Sequence, residues 1–207
     1  MFAIINIIIF KFKKIIKMKK IFLFISACII SMTAIAQDTY TLDKNHARLS
    51  FSVLHFGISH IEGNFKLFNA TVLSTKKDFS DISIEMTADV KSINTDVEMR
   101  DNDLKSSQWF DAEKYPTMTF KSTSFKKLID NHYKLKGNIT IHGVTKPIEF
   151  DVSFNGKGQN PFSKMYSLGF TISGKLNRLD FGIGGAPLAT GVGSEIELKS
   201  NVEFAIN

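Results

Sequence analysis

The sequence predicts an all-β domain of mainly antiparallel strands. Apolar and polar residues alternate with period two over most of residues 37–207, which gives each strand one buried and one wetted face. Clusters of Asn, Asp, Gly and Pro interrupt this alternation at strand-length intervals. The continuous apolar runs of a parallel sheet flanked by helices do not occur in this region.

Residues 1–36 have a different texture and read as a signal peptide. Met18-Lys19-Lys20 supplies a basic start, Ile21 to Ile30 an apolar stretch, and Ala34-Ile35-Ala36 a small-residue cleavage site before Gln37. The apolar stretch is too short for a comfortable membrane span. Residues 1–17 are redundant in front of this arrangement, so Met18 is the expected true start. Cleavage after Ala36 would release residues 37–207 to the periplasm or the exterior. A rival reading takes Ile25-Ser26-Ala27-Cys28 as a lipobox and anchors a lipoprotein at Cys28. Against it, Ile29-Ile30 follow the cysteine, where a polar tether is expected.

Removing the leader changes the charge. It holds six of the 26 basic residues and none of the 20 acidic ones, so residues 37–207 carry 20 of each. The net charge of +6 belongs to the leader and gives no support for nucleic acid as a partner. Cys28 is the one cysteine of the chain, so the mature domain has no disulfide, thiol nucleophile or thiolate ligand. Its core must hold it, and residues 37–207 are enough chain for one domain.

The strands can be read in order. Leu49, Phe51 and Val53 share one parity, as do Ile61, Phe65 and Leu67. After Leu67 the apolar parity slips to Phe68, Ala70 and Val72. Ile82, Ile84, Met86, Ala88 and Val90 alternate with Asp81, Ser83, Glu85, Thr87 and Asp89. Met118 and Phe120 form the next set, with a second slip to Phe125, and a β-bulge would produce either slip. Tyr133, Leu135, Ile139 and Ile141 follow, then Ile148, Phe150, Val152 and Phe154. Tyr166, Leu168, Phe170, Ile172 and Leu176 come next, and Ile196, Leu198, Val202, Phe204 and Ile206 close the series. That makes about eight strands. Asp96 to Ser107 is polar and loosely helical in spacing, and Trp109, Phe110 and Tyr115 follow it, so a short helix and an aromatic turn should cover one end or side of the sheet. A closed barrel, which at eight strands leaves room for one small ligand, and a two-sheet sandwich both satisfy this pattern.

Motifs for chemistry are mostly missing. His55 and His60 would fall on opposite faces of a continuous strand, His132 falls in a turn, His142 has outward parity, and His46 precedes the first long strand, so no metal site is expected. Asp101-Asn102-Asp103 lacks the glycine and late glutamate of a calcium loop and reads as a solvated helix face. The glycines from Gly182 to Gly193 precede no helix and read as a mobile loop, not a phosphate cradle. Fourteen of the 19 phenylalanines remain after the leader, many with inward parity, and either a packed core or an apolar cavity accounts for them.

Four ordered blocks carry a family resemblance. They are Leu42-Asp43-Lys44-Asn45-His46 with Phe51 to Ile58; Arg100-Asp101-Asn102-Asp103-Leu104-Lys105-Ser106 with Trp109-Phe110-Asp111 and Lys114 to Phe120; Gly137 to Pro147; and Asn177 to Ile183. Through them the chain resembles the YceI-like family of lipid- and polyisoprenoid-binding proteins from about Tyr40 to Phe204. The family often has His where Asp103 stands, so any role of that histidine is not carried over. The resemblance implies an eight-stranded antiparallel lipocalin-like barrel with one short helix between early strands. It also implies a periplasmic binding protein for a long-chain apolar lipid, isoprenoid or isoprenoid quinone, with no catalytic set and no cofactor. Strand parity then nominates the interior lining: Phe51, Phe65, Ile84, Met86, Phe120, Leu135, Ile139, Phe150, Phe170, Ile172 and Leu198. A homodimer through a barrel edge or the Gly182–Gly193 loop is a further expectation. The rival functions are a ligand-free module with a solid sandwich core, and an enzyme using Arg178, Asp180 or His55. Arg178 and Asp180 share a strand parity, and an ion pair between them is the simpler expectation.

Overall fold

A computed structural model describes residues 38–76, 81–185 and 191–206. The proposed leader, the cleavage site and Cys28 lie outside the described residues. Among the described residues eleven strands form one sheet: β1 (Asp38–Leu42), β2 (Arg48–His55), β3 (Ser59–Phe65), β4 (Phe68–Ser74), β5 (Ser83–Asp89), β6 (Ile93–Asn94), β7 (Thr117–Lys127), β8 (His132–Ile141), β9 (Val144–Gln159), β10 (Tyr166–Asn177) and β11 (Val192–Ile206). The helix α1 (Glu98–Lys105) lies between β6 and β7.

The sheet closes on itself. Its order runs β1-β4-β5-β7-β8-β9-β10-β11, and β11 returns to β1 through Tyr40 opposite Ile206, giving a closed barrel of eight antiparallel strands. The sandwich is thereby excluded. The three further strands are continuations. β11 is long enough to pair with β2 along its first part and with β1 at its end, so β1 and β2 form one edge broken by the turn Lys44–His46. In the same way β3 continues into β4, and β5 into β6 across the turn Val90–Ser92.

Both expected slips have a structural cause. The first is the break at Lys66-Leu67 between β3 and β4, where Ser92 braces the kink by accepting from Lys66 N and donating its hydroxyl toward Leu67 O. The break turns Leu67 out to 62% exposure, which corrects its inward assignment. The second is a bulge in β7, where the pairing with β8 shifts between Ser122 and Ser124 and brings Phe125 back inward.

The core is the barrel interior. Leu135, Ala88, Val152, Phe204 and Leu42 are all buried there, each at an inward position of its strand, and Val90 is buried in the turn that follows β5. Pairs such as Lys121–Glu85, Lys136–Glu149 and Lys175–Glu195 decorate the outer face. Such exposed pairs add little stability but match the polar parity read from the sequence.

Chain direction defines two ends. The β2–β3 turn, α1, the β8–β9 turn and the β10–β11 loop gather at one, here the helix end. The start of β1 and the β4–β5, β7–β8 and β9–β10 turns gather at the other, the hairpin end. There β9 and β10 run past β8, whose pairing stops at His132 opposite Ser153, and form an arm that reaches to Gln159 opposite Tyr166. Tyr166 is consequently exposed and not part of the core, against its parity assignment.

Candidate functional site

The interior is not filled. A cavity of about 210 Å³ runs along the barrel axis from Trp109, Arg178 and Ile183 at the helix end to Val72, Ile82, Phe125 and Phe204 toward the hairpin end. Its wall is apolar apart from Ser50, Lys199, Ser200 and Arg178. All eleven residues nominated by parity lie on this wall: Phe51, Phe65, Ile84, Met86, Phe120, Leu135, Ile139, Phe150, Phe170, Ile172 and Leu198.

Aromatic rings shape the wall, and small inward residues let them. Phe51 meets Phe65 at 5.8 Å between centroids, Phe65 meets Phe110 at 6.0 Å, and Phe120 meets Phe150 at 5.5 Å. Three inward strand positions are glycines: Gly63, Gly137 and Gly174. The ring of Phe51 occupies the space above Gly63, that of Phe120 the space above Gly137 and that of Phe150 the space above Gly174. A Cβ at any of the three would stand closer to the ring than real Cβ atoms do. The glycines therefore hold the rings against the barrel wall and keep the axis open.

The helix end is closed by the segment around α1. Leu104, Trp109 and Phe110 reach the cavity. Asp101 fixes the segment from within: it is buried and accepts from Thr95 N at 2.8 Å and Thr95 Oγ1 at 2.6 Å. Arg100 donates from Nε to Thr95 Oγ1 at 2.7 Å and from a terminal nitrogen to Thr95 O at 2.8 Å. The reading of Asp101-Asn102-Asp103 as a solvated face thus holds for Asn102 and Asp103 only. A buried side chain three residues after the start of so short a helix leaves no periodic signature.

Arg178 corrects a second expectation. It does not pair with Asp180, which is exposed. The two lie in the turn Arg178–Phe181 and not on a strand. The guanidinium is 4% exposed and donates to four backbone carbonyls, those of Gly193, Val192, Ile183 and Gly184. Burial pulls its pKa below the ordinary arginine value. Trp109 stacks over it at 5.6 Å and also covers Gly184, whose φ of +59° and missing Cβ permit the approach. Gly182–Gly185 therefore belongs to a pinned segment, while residues 186–190 of the glycine-rich loop lie outside the described residues.

No histidine faces the cavity among the described residues. His60 Nδ1 meets Ser52 Oγ at 3.0 Å on the outer face, and His142 Nδ1 meets Phe181 O at 3.0 Å in the β8–β9 turn. Among the described residues one group has metal-ligand spacing, Asp43, His46 and Glu203. His46 and Glu203 lie at the surface, and His46 Nδ1 is already engaged by Asp43 Oδ2 at 2.9 Å.

This architecture has relatives. The model of the YceI-like domain matches residues 40–204. The chain belongs to the YceI-like family. A UPF0312 protein of Staphylococcus aureus is 34% identical over 172 residues, spanning 81% of this chain and 98% of that protein. BcnA of Burkholderia cenocepacia superposes with a TM-score of 0.69 at 25% identity, covering 78% of this chain and 98% of BcnA. The Campylobacter jejuni YCEI protein gives a TM-score of 0.65 at 30% identity over 72% of this chain and 86% of its own. A polyisoprenoid binding domain from Saccharophagus degradans shares the fold, with a TM-score of 0.61 at 13% identity over 81% and 98% of the two chains. Among the described residues no helix is long and apolar enough to cross a membrane.

The parity reading omitted several wall residues. Ile141, Val152 and Phe204 were available to it, since each shares parity with a nominated neighbour. Leu104 and Trp109 belong to the helix and aromatic turn expected over one end or side of the sheet, which the structure places on the cavity wall, whereas Ile183 carries no local signal because only tertiary folding brings the β10–β11 loop over the end of the barrel.

Proposed function

We propose that this YceI-like barrel is a binding protein that holds a long apolar lipid of the isoprenoid class along its axis. The observation that carries the reading is the continuous apolar cavity, walled by phenylalanines that glycines keep against the strands. A saturated or prenyl chain makes no directional contacts, so a wall with almost no polar atoms suits it. Each buried methylene contributes about 0.8 kcal/mol, and a dozen such contacts suffice for tight binding without a recognition motif. The eleven parity-assigned residues, from Phe51 to Leu198, are the proposed ligand contacts. The relative described as a polyisoprenoid binding domain supports the choice of chain class.

Binding, not catalysis, is the proposed activity. Two of the four polar residues on the wall are engaged in structure: Ser200 donates to Arg48 O at 2.8 Å, and Arg178 to four carbonyls. Residues 1–36 are the proposed signal peptide, cleaved after Ala36, and the proposed location is the periplasm or the exterior.

Trp109 provides the test. It is the one tryptophan of the chain and lies on the cavity wall. Titration with prenyl alcohols of increasing length should change its fluorescence, with affinity rising with chain length until the cavity is full. Affinity independent of chain length, or no response to any member, would contradict the reading.

A further inference from the structure

We propose that the hairpin end of the barrel is a docking surface for an anionic lipid bilayer, with the β9–β10 arm as the element that enters the headgroup region. The proposal does not depend on what the cavity holds.

The arm is built for an interface. Phe162 at its tip is 93% exposed, with Met165 and Tyr166 behind it at 49% and 43%. A phenylalanine that meets only water gains when it enters an apolar layer. A turn entering such a layer must satisfy its own backbone groups, and this one does. Asn160 Oδ1 accepts from Phe162 N at 2.9 Å and Ser163 N at 3.0 Å, and Asn160 N donates to Met165 O at 2.9 Å. Pro161 has no N–H to satisfy. Lys157 Nζ lies 4.0 Å from the centroid of the Tyr166 ring, the pairing of aromatic body and cationic head that suits a headgroup region.

Charge selects the partner. No Asp or Glu occurs from Val152 to Leu179, so Lys157 and Lys164 make the arm purely cationic. The neighbouring β7–β8 turn is also apolar at its tip, with Leu128 and Ile129 exposed at 58% and 68% between Lys126-Lys127 and Asp130. Acids do stand at this end, Asp81 in the β4–β5 turn and Asp130 in the β7–β8 turn, but the arm that projects beyond them has none. The arm is thereby a local cationic feature with an apolar tip on a domain of balanced charge, and it favours a negative surface over a neutral one.

The test is flotation of the protein, purified from the cell envelope with its mature N-terminus verified by mass, on two vesicle types. One is phosphatidylcholine alone and the other includes about one-third phosphatidylglycerol. Binding should occur on the anionic vesicles and be lost near 1 M salt, where screening acts within about 3 Å. Phe162→Ser should weaken it about tenfold or more, as expected for withdrawing one buried aromatic side chain. The pair Lys157→Glu and Lys164→Glu should weaken it comparably. All three side chains lie in the exposed arm, so the melting temperature serves as the control and should stay unchanged. Equal binding to both vesicle types, no binding to either, or full binding by Phe162→Ser would overturn the proposal. Recovery of a stable protein partner on this surface without vesicle affinity would overturn it as well.

Discussion

Leu198→Trp tests the cavity as a binding site. Leu198 lies midway along β11, opposite Gly174 on β10 and Phe51 on β2, and its side chain is on the wall. At about 10–15 Å³ per water-sized group, the 210 Å³ cavity has room for on the order of 15–20 groups. The substitution adds about six non-hydrogen atoms and so removes roughly a third of that room. A ligand that gives up about six methylene contacts at ~0.8 kcal/mol each loses up to ~5 kcal/mol, more than a thousandfold in Kd. A chain free to slide recovers part of this, and a loss of at least tenfold is the expected minimum. The fold should suffer less, because the indole enters existing space and not a filled core, where overpacking costs about 1–3 kcal/mol. The assay is displacement of a prenylated fluorophore, run beside urea unfolding of the same variant. A folded Leu198→Trp protein that binds the probe like the wild type would refute the assignment of the cavity as the site.

Other predictions follow from the same geometry. Arg178→Met should strand four carbonyls that the guanidinium now satisfies and lower stability by about 3 kcal/mol or more, read as a shift of the urea midpoint. Arg178→Lys should restore only part of it, since an ammonium lacks the planar fork. Gly137→Ala should press the Phe120 ring off the wall and meet Lys121 O, costing about 1–3 kcal/mol in thermal unfolding and weakening prenyl binding together. The Asp43–His46 bond holds the His46 pKa above and the Asp43 pKa below their ordinary values. His46 therefore contributes stability that is present below about pH 6.5 and lost as pH rises through its raised pKa. Asp43 contributes stability that is present above about pH 4 and lost as pH falls through its lowered pKa. An NMR titration of the imidazole should show the His46 pKa fall toward the ordinary value in Asp43→Asn, with Glu203 still holding it up in part, and an unchanged titration would refute the coupling.

Much of the barrel was legible because its determinants are local. Alternation assigned the inner face of most strands, and phase slips marked Leu67 and Phe125 as places where the chain bends. Alternation is blind to closure, since a sandwich buries the same residues. What closes the sheet is the length of β11, which serves β2 with one half and β1 with the other. The family blocks carried that information where periodicity did not. Leu67 and Tyr166 broke the parity rule for identifiable reasons, one at a strand break and the other on an arm beyond the barrel.

The cavity wall was legible to the same extent. Phe51, Phe120 and Phe150 could be placed inward, but not the part played by Gly63, Gly137 and Gly174, because an inward glycine looks like a gap in the pattern. Arg178 was misread as half of an ion pair. A buried arginine bound by carbonyls has no partner residue type that a sequence displays. Asp101 was misread for a similar reason, since its partners are a backbone N–H and a threonine hydroxyl. Asp103 is exposed at the end of α1, and its carbonyl accepts from Ser106 N at 3.0 Å.

On the proposed function the barrel holds a long apolar molecule. Native mass spectrometry of the protein taken from its own cell envelope without detergent tests this most directly, followed by organic extraction of the same sample. The expected result is a bound species that survives ionisation, releases a prenyl lipid into the organic phase, and is depleted in Leu198→Trp. A wild-type protein that flies at its bare mass and yields no lipid on extraction would contradict it.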